Sequence, residues 1–367
     1  MKITDHRSLS QCVGVAVIGY GYWGPNLVRN FAKTEGAQVV AISDLDPKKL
    51  AAGTRHFPGI RQTINFRDLL KDSRIDAIVI ATPVRTHYEI ALAAISAGKH
   101  VLVEKPLAQT SEQVRHLIKE AERQNVVLMV DHTFVYTPAV QKIRELILDS
   151  ALGDIYYYNS TRASLGLFQT DVNVIWDLAV HDVSIIRYIL NEAPIAVSAT
   201  GVSHLVGSPE DTAHIVLFFQ GSCIAHISVN WLSPVKLRQT FIGGSRKMIV
   251  YDDVEAAEKI KVYDKGITLS RSAENINQLR IGYRAGDMWA PHLPTKEALE
   301  AEAEHFIACI RREASPICGG VNGLEVVEIL EAACKSIAAH GAPIPLGPVP
   351  KGRTWEGVTV GSVPQPS

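Results

Sequence analysis

A short apolar run followed at once by three closely spaced glycines constrains this chain more than any other feature. Residues 12–24 read Cys-Val-Gly-Val-Ala-Val-Ile-Gly-Tyr-Gly-Tyr-Trp-Gly, in which Gly19, Gly21 and Gly24 form a G-x-G-x-x-G pattern. The first glycine of such a turn allows a tight bend, the second lets the backbone approach a pyrophosphate, and the third lets the next helix pack closely on the strand. The N-terminus of that helix presents free N–H groups to phosphates. The pattern predicts a dinucleotide-binding turn, and the alternative is a glycine turn in an ordinary strand–helix unit.

An acidic residue stands where such a turn needs one. Asp44 ends the next apolar strand, about 20 residues after Gly24, which is the usual spacing. A carboxylate there bonds the ribose hydroxyls and repels a 2′-phosphate, so the sequence favours NAD over NADP as cofactor. Tyr22 and Trp23, which lie inside the glycine turn, are included among the predicted cofactor-binding residues.

The first part of the chain alternates strand and helix patterns. Near-continuous apolar strands at 12–18, 38–44, 76–82, 100–105 and 126–132 are separated by helical patterns such as 86–97 and 111–124. This alternation predicts a doubly wound α/β fold, a Rossmann domain whose parallel sheet is buried on both faces. Ligands of such folds bind at the carboxyl ends of the strands. Those ends carry Gly19, Asp44, Thr82, Glu104, Lys105, Asp131 and His132.

The pattern changes after about residue 150. Alternating strands are predicted at 154–164, 194–204, 213–220, 223–232, 237–252 and 259–269, with helices at 174–190, 295–313 and 323–340. Short turns between strands indicate an open, mainly antiparallel sheet in a C-terminal α+β domain. We predict a Rossmann domain at 1–132, a domain for substrate binding and oligomerisation at 133–345, and an extended arm at 346–367. An uncovered sheet face predicts a homo-oligomer, a dimer or a tetramer.

Composition excludes several classes of function. Hydrophobic residues make up 47% of the 367 residues, and the net charge of −1 gives no reason to expect a nucleic-acid or membrane partner. The five cysteines have no C-x-x-C spacing, which is typical of reduced thiols in a cytoplasmic protein. Residues 1–11 are polar, unlike a signal peptide, and no apolar run reaches the roughly 18 residues of a membrane span.

Glu104-Lys105-Pro106 follows the fifth predicted strand. A lysine at the end of a parallel strand points into the ligand crevice, where it could transfer a proton or polarise a carbonyl. Pro106 restricts Lys105 to an extended conformation, which favours a fixed geometry. The alternative is a solvated lysine at a strand end.

Asp177 and His181 stand four residues apart at the start of the predicted 174–190 helix. Residues at this spacing share one face of an α-helix, so the carboxylate could orient the imidazole and stabilise its cation. His181 could then act as a general base on a hydroxyl. The pair could also be a surface contact, or two ligands of a metal, but no third ligand is evident nearby and we predict no metal site.

Taken in order, these motifs resemble the Gfo/Idh/MocA oxidoreductases over nearly the whole chain. The motifs are the glycine turn, Ala81-Thr82-Pro83 with His87 downstream, Glu104-Lys105-Pro106, and Asp177-x-x-x-His181. The resemblance implies that Lys105, Asp177 and His181 form the catalytic group. It also implies that Thr82, Pro83, His87 and Glu104 lie along the nicotinamide half of NAD.

Residues 22–27 and 131–134 resemble the branch of this family that acts on nucleotide-activated sugars. Members of that branch oxidise the C3 hydroxyl of UDP-N-acetylglucosamine or of its uronic acid. Arg162 could bind a diphosphate or a carboxylate, or could be a structural arginine at a sheet edge, and Asn173 is a second candidate for substrate contact, with Lys105 and His181. The alternatives are a ketoreductase of nucleotide keto-sugars, a free sugar or inositol dehydrogenase, and a non-enzymatic NAD-binding protein.

Overall fold

Six parallel strands form the sheet of the N-terminal half. The computed structural model describes residues 12–57, 59–166, 172–190, 192–272 and 275–347. The strands are β1 (Val13–Ile18), β2 (Ala37–Ser43), β3 (Arg61–Thr63), β4 (Ala77–Ile80), β5 (His100–Glu104) and β6 (Leu128–Asp131). Their order is β3-β2-β1-β4-β5-β6, so the order reverses between β1 and β4, where a doubly wound fold opens its ligand crevice.

Five helices connect these strands: α1 (Gly24–Lys33), α2 (Pro47–His56), α3 (Arg67–Leu70), α4 (His87–Ser96) and α5 (Ser111–Gln124). Their ends follow local chemistry. Thr110 accepts a hydrogen bond from the backbone N–H of Gln113 at the start of α5, and Asn125 ends that helix with a left-handed φ of 54°. Every residue of β1, β4 and β6 is buried, as expected of a sheet covered on both faces.

A nine-stranded sheet forms most of the C-terminal half. Its strands are β7 (Ile155–Leu165), β8 (Ala196–Val202), β9 (Thr212–Phe218), β10 (Ile224–Asn230), β11 (Leu232–Gly244), β12 (Met248–Asp252), β13 (Ile260–Ser272), β14 (Asn275–Trp289) and β15 (Ile344–Pro345). Their order is β14-β13-β12-β11-β7-β10-β9-β8-β15. All neighbours are antiparallel except β7 and β10, which are parallel.

The two faces of this sheet differ sharply. One row of cross-strand partners is at most 1% exposed: Val197, Leu217, Ala225, Tyr158, Ile242, Ile249 and Val262. The next row points to the opposite face and is half-buried or exposed: Ser198, Val216, His226, Asn159, Phe241, Val250 and Lys261. One face therefore packs in the core and the other remains open.

Four further helices lie in the C-terminal half: α6 (Pro138–Leu148), α7 (Val180–Ile189), α8 (Ala298–Ile310) and α9 (Gly320–Ala338). Helix α8 returns to the N-terminal core, where Phe306 packs edge-to-face on Phe31 of α1 with ring centroids 6.2 Å apart. Helix α9 bonds the start of α5, because Glu331 accepts hydrogen bonds from the backbone and the hydroxyl of Ser111. No helix in the described part of the chain is both long and apolar enough to cross a membrane.

The predicted fold class, a doubly wound Rossmann domain with a mainly antiparallel C-terminal sheet, is confirmed. The structure differs in detail. The predicted strand 237–252 is two strands, because the chain turns between Gly244 and Met248, and β3 and β14 were not predicted. Helix α8, at 298–310 of the predicted second domain, packs in the N-terminal core. The predicted arm lies outside the described residues after 347.

Candidate active site

The glycine turn forms an open cradle at the carboxyl end of β1. Gly19 has a φ of +95°, and a Cβ on it would lie 2.4 Å from the carbonyl oxygen of Ala81. A Cβ on Gly24 would lie 2.2 Å from the carbonyl oxygen of Gly19, so neither position accepts a side chain. A Cβ on Gly21 would meet nothing within 4 Å, which leaves its backbone free to approach a ligand. These are the three properties that a pyrophosphate-binding turn requires.

Asp44 is fixed beside this cradle. Its carboxylate accepts hydrogen bonds from the backbone N–H groups of Tyr20, at 2.7 Å, and Asp46, at 2.8 Å. Tyr22 is 80% exposed and packs edge-to-face on Trp23 at the mouth of the turn. Exposed apolar side chains around a polar cradle are typical of a ligand site. The residues therefore fit a dinucleotide.

His87 joins the loops that follow β4 and β5. Its ring is 1% exposed, with Nδ1 2.8 Å from the carbonyl oxygen of Pro106 and Nε2 2.8 Å from that of Thr82. Burial lowers the pKa of His87, and the positive charge of Lys105 acts in the same direction. Thr82 and Pro83 lie nearer the surface, while His87 lies behind them. Its contacts make His87 a residue that positions the two loops.

Lys105 bonds to Asp177 across the crevice between the two sheets. Its Nζ donates to the backbone carbonyl oxygen of Asp177 at 2.9 Å and lies 3.3 Å from Oδ1 of that residue. The indole N–H of Trp231 donates to Oδ2 of Asp177 at 3.0 Å. The carboxylate is therefore held between a cation and an indole, and it holds the lysine in turn.

Asp177 does not bond to His181, contrary to the contact that the four-residue spacing predicts. Residues Ile175–Ala179 form a turn of π-helix ahead of α7, so an α-helical spacing does not apply there. Within the described residues, the Asp177 carboxylate bonds to Lys105 and Trp231, and Nδ1 of His181 is buried without a hydrogen-bond partner. A π-turn inside a helix is frequently found at a functional site.

His181 lies among cations and an aromatic ring. The Phe134 ring packs on the imidazole of His181 with ring centroids 4.8 Å apart. The guanidinium groups of Arg162 and Arg238 lie over the Phe134 ring, 4.4 and 5.3 Å from its centroid. Burial lowers the pKa of His181 well below its usual value, and the charges of Lys105 and Arg162 lower it further. The imidazole is therefore neutral at physiological pH and free to accept a proton.

Arg162 lies on β7, which has β10 and β11 as its neighbours in the sheet, and not on an edge strand. It is 5% exposed, and its Nε donates to Asp182 at 2.9 Å. One terminal nitrogen, Nη1, is buried without a partner in the described structure. The arginine is thus anchored by an ion pair while part of its guanidinium remains unpaired.

Asn173 caps the turn of π-helix. Its side-chain oxygen accepts from the backbone N–H groups of Ile175 and Trp176, at 3.1 and 3.2 Å. Its amide donates to Glu210 at 3.0 Å and contacts Cys334 Sγ at 3.5 Å. In the described structure, the Asn173 side chain therefore caps the turn, and its amide N–H groups contact Glu210 and Cys334.

Glu104 points away from the crevice into a buried group of carboxyls. It is 9% exposed, and Asp131 and Glu302 beside it are each 1% exposed. Burial raises the pKa of Glu104 well above its usual value, and the nearby Asp131 raises it further. Two of these carboxyls can bond to each other only when one is protonated. Glu104 is thus placed behind Lys105.

Two protein-family profiles match the chain. The profile of the Gfo/Idh/MocA oxidoreductase family, described as an NAD-binding Rossmann fold, matches residues 13–132. The profile of a Gfo/Idh/MocA C-terminal domain matches residues 140–250. The chain belongs to the Gfo/Idh/MocA oxidoreductase family. The N-terminal half is accordingly an NAD-binding Rossmann domain.

Gfo/Idh/MocA relatives align over most of the chain. The D-apiose dehydrogenase of Paraburkholderia graminis is 26% identical over 354 residues, covering 90% of this chain and 89% of that protein. The inositol 2-dehydrogenase of Rhizobium meliloti is 26% identical and covers 89% and 97%. The UDP-N-acetylglucosamine 3-dehydrogenase of Acidithiobacillus ferrooxidans is 24% identical and covers 85% and 93%. A solved structure of this last enzyme superposes with a TM-score of 0.73 at 26% identity, covering 89% of this chain and 96% of that structure.

Several residues around the site of this Gfo/Idh/MocA protein were not predicted from the sequence. Trp231, Phe134, Arg238 and Glu302 come from four separate elements, and no short motif joins them to Lys105 or Asp177. Trp231 had a local signal, because it ends a predicted strand in which apolar and polar side chains alternate, and Phe134 lies within the 131–134 segment singled out above. The others become neighbours only when the two sheets pack.

Proposed function

We propose that this chain is an NAD-dependent dehydrogenase of a secondary sugar hydroxyl, with C3 of a nucleotide-activated sugar such as UDP-N-acetylglucosamine or its uronic acid as the reacting position. The observation that carries the proposal is the bonding of Lys105 to Asp177 near the neutral, half-buried His181. A cation that can stabilise an alkoxide and a base that can take its proton are the two groups that this oxidation needs.

Each residue of the group has a separate task in the proposed reaction. When bound, NAD supplies the hydride acceptor, and the chain supplies orientation and proton transfer. His181 takes the hydroxyl proton through Nε2, since Nδ1 is turned into the core. Lys105 stabilises the negative charge that develops on the substrate oxygen. Asp177, itself held by Trp231, fixes the lysine for this contact.

The choice of a nucleotide sugar rests on two kinds of support. A relative named UDP-N-acetylglucosamine 3-dehydrogenase aligns along most of the chain, and residues 22–27 and 131–134 resemble the same branch. In addition, Arg162 leaves a buried guanidinium nitrogen unpaired near His181, which could bind an anionic group of the substrate. The relatives named D-apiose and inositol dehydrogenase support a free sugar or polyol as the second candidate.

The decisive measurement is the formation of NADH with a panel of substrates. The purified chain is mixed with NAD and, separately, with UDP-N-acetylglucosamine, its uronic acid, inositol and free aldoses. An increase at the absorbance band of reduced nicotinamide with the UDP-sugars, lost in His181→Ala, supports the proposal. An increase only with free sugars or inositol assigns the second candidate. No increase with any member, in the presence of bound NAD, contradicts both.

We also propose that two or more copies associate through the open face of the nine-stranded sheet. A row of half-buried and exposed side chains crosses seven strands of that face: Phe218, Ile224, Tyr157, Met248, Tyr263 and Met288, with Gly243 beneath the Tyr157 ring. A continuous apolar surface of this kind favours burial against another protein surface. A second copy of the chain presents a matching sheet, which is why we choose it as the partner.

A further inference from the structure

A cavity of about 440 Å³, lined by both polar and apolar side chains, lies beside helix α7. It is lined by side chains of α6, α7 and α9 and by the segment before α9, among them Arg144, Ser184, Tyr188 and Asn322. Its lining also includes Pro316, which is exposed, and His132, which is 2% exposed. The cavity therefore runs from the protein surface to a buried histidine, and it is large enough to hold several water molecules.

His132 lacks the contacts that a structural histidine usually makes. Neither ring nitrogen has a hydrogen-bond partner in the described part of the chain, although both are buried. Burial, together with the charge of Lys105, lowers the pKa of His132 to about 3. A buried and unbonded imidazole is destabilising unless water or a transferred proton satisfies it. Because His132 lines the cavity, water in the cavity can bond to its ring and can exchange a proton with it.

Helix α7 links His181 to the same cavity. Ser184, one helical turn after His181, lines the cavity, and its hydroxyl donates to the His181 carbonyl oxygen at 2.7 Å. The segment that carries His132 also packs on His181, because Phe134, two residues after His132, lies edge-to-face on the His181 imidazole with ring centroids 4.8 Å apart. Nδ1 of His181 is buried and has no hydrogen-bond partner in the described structure, as is true of both ring nitrogens of His132.

We propose that His132 passes the proton released by substrate oxidation from His181 to water in the rear cavity. This inference rests on the proposed dehydrogenase function. Substrate and dinucleotide close the crevice on the Nε2 side of His181 during the reaction, so a second path lets the proton leave before the product does. The residues that line the cavity hold no carboxylate that would trap the proton on its way.

Oxidation removes one hydride and one proton from the substrate. The carbinol carbon loses a hydride, with two electrons, to NAD⁺, and its hydroxyl proton goes to Nε2 of His181. The resulting imidazolium gives up its Nδ1 proton to one nitrogen of His132, directly or through one water molecule. His132 releases the proton on its other nitrogen to cavity water. The net products are the ketone, NADH and one proton in solvent, and the reverse sequence delivers a proton for reduction.

The experiment compares two signals in one rapid-mixing measurement on the full chain. NADH is followed by absorbance, and proton release by a pH-indicator dye in weak buffer. In the wild-type chain we expect both signals to rise together. In His132→Asn we expect proton release to lag behind the first turnover of NADH by about tenfold or more, because the proton stays on His181 until the product leaves. A purely structural role would slow both signals equally.

Two further variants make the result specific. His132→Ala should show the same lag, and added imidazole, which the cavity can admit, should shorten it. Cys318→Ala truncates another buried side chain of the same cavity and should show no lag. Proton release in step with NADH in both His132 variants, or equal slowing of both signals, overturns the proposed route. Absence of NADH from the wild-type chain contradicts the dehydrogenase function itself and is thereby distinguished.

Discussion

The Lys105 ammonium and the Asp177 carboxylate are both mostly buried, with side-chain exposures of 16% and 24%. Such a pair is stable because each partner gains more than one bond: the lysine also donates to the Asp177 carbonyl oxygen, and the carboxylate also accepts from Trp231. The positive charge is therefore fixed in place before a substrate binds. A fixed charge stabilises a developing alkoxide more than a mobile one, because no reorganisation is needed.

Lys105→Ala and His181→Ala should separate catalysis from cofactor binding. We expect kcat to fall at least ~10²-fold in each variant, because in the proposed reaction each substitution removes a group that contacts the reacting oxygen. The affinity for NADH, measured by its fluorescence, should change little, because the glycine cradle and Asp44 are distant in the chain and untouched.

Lys105→Arg serves as the matched control for charge. It keeps the cation but not the shape of the amine, so partial activity is expected. Near-normal turnover of both alanine variants would refute the catalytic assignment of these residues.

At the residue scale, the structure brings Lys105 and Asp177 together but pairs Asp177 differently from the prediction. The motifs identified Lys105, Asp177 and His181, but the spacing of Asp177 and His181 predicted a contact between them. That contact is absent, because the Asp177 carboxylate bonds to Lys105. The indole of Trp231 bonds to Asp177 instead, and nothing in the local sequence indicates a bond between residues so far apart.

At the scale of elements, helix α8 joins the N-terminal core through a buried carboxyl. Glu302 of α8 is 1% exposed, and neither of its carboxyl oxygens has a hydrogen-bond partner in the described structure. Burial raises the pKa of Glu302 well above its usual value, and the Asp131 and Glu104 carboxyls raise it further. The helix therefore packs most favourably when this carboxyl is protonated.

Glu302→Gln should change how stability depends on pH. Because the pKa of Glu302 is raised in the folded chain, its contribution is fully present below the unfolded pKa and is lost as pH rises through the folded pKa. Glutamine carries no charge at any pH. The free energy of unfolding of the variant, relative to wild type, should thus increase as pH rises above the unfolded pKa of a glutamate, about 4.3, measured by urea unfolding.

Glu304→Gln, on the same helix but with a half-exposed carboxylate, is the control and should show a much smaller dependence on pH. A stability difference for Glu302→Gln that stays constant with pH, or that decreases as pH rises, would contradict a protonated carboxyl at this position.

Most elements with strong periodicity were predictable. The buried strands of the first sheet and helix α5 lie within a few residues of their predicted positions. Strand β14 is an exception, because it was not predicted although Leu279, Ile281, Tyr283 and Ala285 alternate with polar residues and glycines. Strands β11 and β12 were predicted as one strand, because only three residues separate Gly244, at the end of β11, from Met248, at the start of β12.

At the scale of the whole molecule, the uneven covering of the nine-stranded sheet requires an explanation. Its inner face packs on helices, and its outer face carries exposed apolar side chains, among them Phe241, 43% exposed, and Met288, 50% exposed. A monomer would leave this surface in water. Two copies placed face to face would bury it, and their symmetry would bring the same residues together from both sides.

Phe241→Glu should therefore break the assembly. The wild-type chain is expected to have a mass in solution that is a multiple of one chain, as measured by light scattering after size-exclusion chromatography. The glutamate places a charge at the centre of the open face, and in a two-fold interface it places two like charges near each other, so we expect a shift to the single-chain mass.

Val321→Glu introduces the same charge on α9, where the native side chain is 60% exposed, and should leave the mass unchanged. A wild-type chain that is monomeric at high concentration, or a Phe241→Glu variant of undiminished mass, would show that the open face is not the interface. If the assembly dissociates while the first turnover of NADH persists, each active site is complete within one chain, as expected from the placement of Lys105, Asp177 and His181 on a single copy.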